Sequence, residues 1–372
     1  MSSKKRPTLS YIVVNTLVAL NVLAVFLMLF LGNADMINPA THPKLSILSL
    51  FFPFTIPVCF VFIFLWLIVR KRYALISVAG LLLAYSPIRS YCPLNMKKQV
   101  PDSCLTILSY NVMMFDVEDH KDHDNNPIVD YIVDSNADIV CLQETGSTSA
   151  IYDNLSRKMK QRYPYNDSIR LRHKNDVLTL YSKYKILKAK MLRNNNSEIN
   201  LSVAYDLLVD GDTVVVINSH LESTHLSSKD KKQFDKLVKG KLQRDSAQRE
   251  SRNVLSKLAN SNRERAAQID SIAAFIDHLG DIPIILCGDF NDHPNSYTHR
   301  QIAQRLTDCY REAGCGAGFS YQRGGIYERI DHIFCSAHFT PYRCYVDKTI
   351  DVSDHYPIIS KLKKRHKSSK KR

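Results

Sequence analysis

The distribution of apolar residues changes character near residue 100. Before it, apolar residues come in long runs. Residues 11–31 (YIVVNTLVALNVLAVFLMLFL) and 45–69 (LSILSLFFPFTIPVCFVFIFLWLIV) carry no charge. Each is long enough for a helix to cross a bilayer. A third run, Tyr73 to Tyr85, has only about half to two-thirds of the length of a full span. A cleaved signal peptide is the alternative for the first run, but no clear small-residue cleavage site follows it and more apolar runs do. The pattern predicts a membrane anchor over residues 1–90 with two to three transmembrane helices (11–31, 45–69, 73–88).

A proline-containing linker follows over 91–103, within SPIRSYCPLNMKKQVPDS. From residue 104 the runs become short. CLTILSYNV, ADIVCLQE, DVLTLYSK, LSVAYDLLV, DTVVVINSH, IPIILCGDF, RIDHIFCS and HYPIISKL read as strands. NPIVDYIVDS and RERAAQIDSIAAFIDHLG repeat with helical spacing between them. Strands interspersed with helices predict a mixed α/β (α+β) domain over 104–362, followed by a basic tail, 363–372. The segment Thr224–Asn262, rich in Lys, Ser and Gln, reads as a solvated helical insertion or as a lid facing the substrate.

Charge narrows the partners. The chain carries +14, of which +9 lies in residues 1–100 and +8 in 361–372, leaving −3 for 101–360. The basic excess therefore flanks the membrane segments and fills the tail, which suits an anionic lipid surface better than a nucleic acid. Nine cysteines show no CxxC and no zinc spacing. Cys141 and Cys287 read as buried hydrophobes. Cys309/Cys315 and Cys335/Cys344 are pairs that could bond if the domain lies outside the cytoplasm.

The chemistry gathers at strand ends. LSYNV ends on Asn111, LQET carries Glu144, and INSHLES carries Asn218 and His220. GDFND supplies Asp289 and Asn291, RIDHIF supplies Asp331, and SDHYP supplies Asp354 and His355. One polar residue after an apolar run is a turn or a cap. Six such endings in one domain predict convergence on one rim of a sheet. Asp289 and Asn291, two apart, would face the same way if the strand persists, with Phe290 turned to the core. Crowded carboxylates need a cation, and all-oxygen ligands without thiolates favour Mg²⁺ or Mn²⁺. An imidazole beside a divalent ion and a carboxylate suggests phosphoryl chemistry.

The ordered set N…QE…SHLES…GDFND…RIDHI…SDHYP resembles the endonuclease/exonuclease/phosphatase superfamily over about residues 104–362. GDFNDHPNSYTHR with RIDHIF and SDHYPI is similar to a bacterial, membrane-anchored branch with N-terminal hydrophobic segments. The resemblance implies a four-layer sandwich of two packed β-sheets flanked by helices. It implies Glu144 as principal metal ligand, helped by Asn111 and Asp354. Asp289 would activate a water, and Asn291 would hold a phosphate oxygen. His355 would contact the phosphate under the control of Asp331, and His220 matches a second phosphate-binding histidine. Asn218 is a further candidate, whereas His332 alternates to the opposite face and reads as structural.

DVLTLYSKY departs from the family pattern, with Asp176 near a usual glycine and Lys183 in place of an arginine. The acidic loop Asp116–Asn126 lacks the mid-loop glycine and terminal glutamate of an EF-hand and reads as solvated. The resulting expectation is a membrane-anchored, Mg²⁺- or Mn²⁺-dependent phosphoesterase acting on a lipid head group, a small phosphodiester or a nucleic acid. Small phosphodiesters and lipid head groups are expected to be processed at least as well as duplex DNA, whose best basic contacts would be Lys229–Lys241, Arg170, Arg172 and Lys174. A nuclease and a non-catalytic binding module are the alternatives, and no protein partner is predicted. Lys4, Lys5 and Arg6 before the first span and Arg70, Lys71 and Arg72 after the second favour the cytoplasmic side. If the third run also crosses, a multi-pass protein of the bacterial inner membrane with its catalytic domain on the non-cytoplasmic side is expected. The shortness of that run and Arg89, Lys97 and Lys98 after it argue for the cytoplasmic side.

Overall fold

A computed structural model describes residues 9–116, 126–146, 157–170, 177–192, 201–224, 227, 230, 244–323 and 326–365. The interior of the Asp116–Asn126 loop, Asp176, Arg172, Lys174 and most of Thr224–Lys241 lie outside the described residues, as do Lys4, Lys5, Arg6 and residues 366–372.

The N-terminal region is a bundle of α1 (Leu9–Gly32), α2 (Phe52–Val69) and α3 (Ala74–Leu83), with α4 (Tyr85–Tyr91) bent away from α3. The stretches Tyr11–Met36 and Pro43–Val69 are long and apolar enough to cross a membrane. The third run is not one straight helix over 73–88. Lys71–Leu83 and Tyr85–Tyr91 meet at 62°. Pro87 explains the break, since its ring in a continuous helix would collide with the carbonyl four residues earlier, at Leu83.

Even so, α3 runs the length of the bundle. Ala74, at its start, packs with Val14 and Trp66, and Ala84, just past its end, packs with Met28, Phe52 and Cys59. Gly80 lets the helices approach, because a Cβ there would lie 2.7 Å from Val25. Midway, the buried Ser77 hydroxyl donates to Asn21 Oδ1 at 2.6 Å.

The remaining chain forms two six-stranded sheets. The first has β1 (Leu105–Asn111), β2 (Ile139–Gln143), β3 (Tyr165–Arg170), β4 (Val177–Ser182), β13 (Phe339–Val346) and β14 (Ile358–Lys364), ordered β13-β14-β1-β2-β4-β3. The second has β5 (Lys185–Leu192), β6 (Leu201–Val209), β7 (Asp212–His220), β8 (Ile284–Asp289), β9 (Thr307–Asp308) and β12 (Asp331–Cys335), ordered β5-β6-β7-β8-β12-β9. A small hairpin, β10 (Tyr321–Arg323) with β11 (Ile326–Glu328), stands apart.

Alternation sorts the side chains into layers. Ile107, Cys141, Leu180, Val216, Cys287 and Ile333 face inward and form the core between the sheets. Outward residues of the first sheet, such as Leu108 and Val140, pack on α5 (Pro127–Ser135). Those of the second sheet, such as Ile217, Leu286 and Phe334, pack on α6 (Arg244–Leu279) and α7 (Tyr297–Ala303). The expected four-layer sandwich is thus present.

Every strand expected from an apolar run is observed. Of the additional strands, β3, β5, β9 and β13 lie at sheet edges and β10 and β11 form the separate hairpin, where burial does not impose a clean pattern. Pro341 stands in β13 at a register shift, a position a central strand would not tolerate. All nine cysteines are free thiols; Cys309, Cys335 and Cys344 are core residues, whereas Cys315 is exposed.

Candidate active site

The inward row of each central strand is apolar until it nears the end of the strand, where it turns polar. After Ile107 come Ser109 and Asn111, after Cys141 comes Gln143, after Val216 come Asn218 and His220, and after Cys287 comes Asp289. β12 runs antiparallel, so its first inward residue, Asp331, sits at the same end. His220 and Asp331 are the register partners of Asp289 on its two sides, so the three stand in one row across adjacent strands.

Gly288 allows this row to close. Its φ is 142°, and a Cβ there would lie 1.8 Å from the Ser219 carbonyl oxygen. The strand ends at Asp289 and does not run on to Asn291, which takes a left-handed turn with φ 51°. Its backbone N–H donates to Asp289 Oδ1 at 2.8 Å and its side-chain amide to the Leu221 carbonyl at 3.0 Å. Phe290 is buried on the helix-facing side, as alternation requires. Glu144 also has a positive φ, 53°. Two non-glycine residues in that conformation at one rim are the kind of local strain that functional sites hold.

The first sheet brings Asn111 against this row. Its Nδ2 donates to Glu144 Oε1 and to Asp289 Oδ2, both at 3.0 Å. His220 Nε2 lies 3.7 Å from Glu144 and 3.8 Å from Asp289. His355 Nε2 lies 3.6 Å from Asp289, while its Nδ1 is held by Asp331 Oδ2 at 2.8 Å. Asp354 lines the same cavity, of ≈ 700 Å³, as Glu144, His220, Asp289, Asn291 and His355. All eight expected site residues therefore meet at one rim.

Asn218 lies deeper. Its amide joins the Gln143 side chain at 2.7 Å and the Leu142 carbonyl at 3.1 Å, tying the two sheets together below the site. His332 faces outward and packs edge-on against Phe290, with centroids 5.2 Å apart. Ser353, not singled out from the sequence, bonds the Asn111 carbonyl at 2.7 Å and accepts from the His355 N–H at 3.2 Å. It fixes both residues at once; the only signal was its place as the first residue of the SDH motif.

Burial pushes the Asp289 carboxyl above the ordinary range, against the lowering pull of His355 and His220. For His355, burial is the largest single effect and would lower its pKa. Asp331 and Asp289 together outweigh it and push it up to about 10, so the ring is an imidazolium at neutral pH. Ligand atoms of Asp289, Asp331 and His355 lie within 4.8 Å of one another and could hold a metal. With Nδ1 held by Asp331, His355 has only Nε2 turned toward Asp289. Glu144 and Asp354 are further carboxylates lining the cavity and could hold a divalent ion. As placed, Asn111 steers Glu144 and Asp289, and its Oδ1 accepts from the Met113 N–H at 3.1 Å.

Residues 108–355, two-thirds of the chain, match the endonuclease/exonuclease/phosphatase family. The chain belongs to that family, whose members are typically hydrolases of phosphoesters. Residues 14–91 match a family described as a domain of unknown function (DUF8431). The fold is similar to D. rerio TDP2 complexed with a single-strand DNA product, with TM-score 0.50 and 16% identity, over 70% of this chain and 100% of that one. It is also similar to the endonuclease/exonuclease/phosphatase from Bacteroides vulgatus, with TM-score 0.49 and 16% identity, over 71% and 100%. The human nocturnin catalytic domain with bound sulfate aligns with TM-score 0.49 and 16% identity, over 71% and 94%. No match was found among curated proteins.

Proposed function

We propose that this protein is a membrane-anchored, divalent-metal-dependent hydrolase of phosphodiesters, with small phosphodiesters or lipid head groups preferred over duplex nucleic acid. The row His220–Asp289–Asp331, completed by His355, carries the proposal. It sets a carboxylate between two imidazoles at the floor of a cavity wide enough for a phosphoester.

Glu144 and Asp354, with Asn111 beside them, would hold Mg²⁺ or Mn²⁺, which when bound would offset negative charge on the phosphate. Asp289 accepts the proton of the attacking water; its raised pKa brings its basicity nearer to neutral pH. His355, held by Asp331, and His220 face the phosphate oxygens on which charge builds as the phosphorus–oxygen bond breaks. The side chain of Asn291 lines the cavity and holds a further phosphate oxygen.

The anchor supports placement outside the cytoplasm. Residues joining α1 to α2 meet the catalytic domain directly: Asp35 pairs with Arg300 at 3.2 Å, and Asn38 bonds Tyr297. At the start of the second span, Ser49 lies 3.2 Å from His293. With Lys4–Arg6 and Arg70–Arg72 in the cytoplasm, this first connection lies on the other side, and so does the domain.

The test is hydrolysis of bis(4-nitrophenyl) phosphate by the full-length protein in detergent. Activity should vanish in excess chelator and return with Mg²⁺ or Mn²⁺. Full activity without a divalent ion would overturn the assignment.

A further inference from the structure

The catalytic cavity has a wall that phosphate chemistry does not use. Leu50, Phe51, Phe54 and Pro57, from the beginning of the second span, line the same cavity as Glu144, His220, Asp289 and His355. Phe51 and Phe54 are 41% and 59% exposed. The hairpin side adds Phe319 and Tyr327, whose ring centroids are 6.2 Å apart. Further along the same helix, Val58 and Val61 are also exposed, so the wall runs on into the face of a helix apolar enough to cross a membrane.

A water-soluble substrate gains nothing from such a wall, whereas a hydrocarbon chain laid on it leaves water. A nucleic acid is a poor fit, because its binding rests on several cationic contacts to phosphates. Among the described lining residues the only Lys or Arg is Arg265, which donates to the Glu222 carbonyl at 2.8 Å and lies 3.5 Å from Asp292.

We infer that the substrate is amphiphilic: a phosphodiester whose phosphate lies between His220 and His355 while its hydrocarbon chain rests on the Leu50–Pro57 wall, reached from the bilayer. This rests on the phosphoesterase reading above and adds the class of substrate to it. The catalytic row works on the phosphate, and the membrane helix selects the chain.

Alkyl 4-nitrophenyl phosphates with methyl, octyl and dodecyl chains test this on the full-length protein in lipid nanodiscs. Burial of a few methylenes should raise kcat/KM at least about tenfold from methyl to dodecyl. Phe54→Ser, at an exposed position, should remove most of that gain, and Tyr327→Ser, outside the membrane segments, should reduce it independently. Because the bilayer is the same, partitioning of the longer esters is common to all three proteins. An equal dependence on chain length in wild type and both variants would overturn the inference while leaving the hydrolase reading intact.

If the wild type hydrolysed none of the esters with Mg²⁺ or Mn²⁺, the hydrolase reading would fall. Calorimetry with dodecyl phosphate, corrected for empty nanodiscs, would then decide the chain site alone. Binding at least about tenfold tighter to wild type than to Phe54→Ser supports the site; equal affinity refutes it.

Discussion

Asp331 Oδ2 lies 2.8 Å from His355 Nδ1, and both side chains are buried. The carboxylate fixes which imidazole nitrogen turns toward Asp289 and stabilises the charged ring. Asp331→Asn keeps the shape but removes that charge. The turnover number should fall on the order of 10²-fold with little change in KM, since Asp331 itself does not reach the substrate. Unchanged kcat would leave Asp331 a packing residue.

Asp289→Asn separates chemistry from folding. Asn291 N–H and Asn111 Nδ2 both donate to this carboxylate, and an amide oxygen can keep one of the two bonds. The variant should fold, retain substrate binding and lose on the order of 10²-fold or more in kcat. Wild-type turnover would reduce Asp289 to a turn residue.

Metal affinity should respond to Glu144. Glu144→Gln removes a charge from the cavity without altering its volume, so the Mg²⁺ concentration for half-maximal activity should rise at least about tenfold. Titration of activity against Mg²⁺ measures this, with circular dichroism to show that the fold is unchanged. An unaltered requirement would move the ion elsewhere.

Acid stability should depend on Asp308, which does not line the cavity. Its side chain caps α8 (Cys309–Ala313) through Tyr310 and Arg311 N–H groups, and it lies 3.0 Å from His299 Nε2. Burial is the largest influence and would raise its pKa, but the His299 hydrogen bond and charge, with Arg329 and His332 beyond, hold it well below the usual range. A depressed folded-state pKa contributes stability that is present above about pH 4 and lost as the pH falls toward the folded value. Asp308→Asn should cost about 1–3 kcal/mol at neutral pH and flatten the acid limb of Tm against pH. A limb as steep as wild type would contradict this.

The side of the membrane can be read with a reporter. Alkaline phosphatase joined after Lys364 should be active, and a fluorescent protein at the same point should be dark if it is exported unfolded. The opposite pattern would place the domain in the cytoplasm and require that α3 and α4 fail to carry the chain across.

Much of the site was legible because its residues follow one rule. In Val216–Ile217–Asn218–Ser219–His220 and in Cys287–Gly288–Asp289, the inward positions stay apolar until the rim and then become polar, and period-two alternation exposes this in a string of letters. Asn291 followed a different cause. The strand stops two residues too early for alternation to aim it, and a left-handed turn does so instead. The bend at Ala84 is encoded by Pro87, which the length and hydrophobicity of the third run do not reflect. The contribution of Phe51 and Phe54 to the cavity was not legible at all, because it depends on the anchor meeting residues more than two hundred positions away. Nothing in the local composition of a long apolar helix marks which of its residues will face a distant row of polar side chains.

Gly288 has a consequence for how this protein tolerates change. Any side chain there meets the Ser219 backbone at 1.8 Å and must hold φ at 142°. Relief requires β7 and β8 to part, and those strands carry His220 and Asp289. A saturation screen scored by activity would therefore rank Gly288 with the reacting residues, although it offers no functional group. Mutational sensitivity alone would misassign it as a participant in the chemistry, and only a comparison of fold with activity would separate a residue that reacts from one that keeps two strands at contact distance.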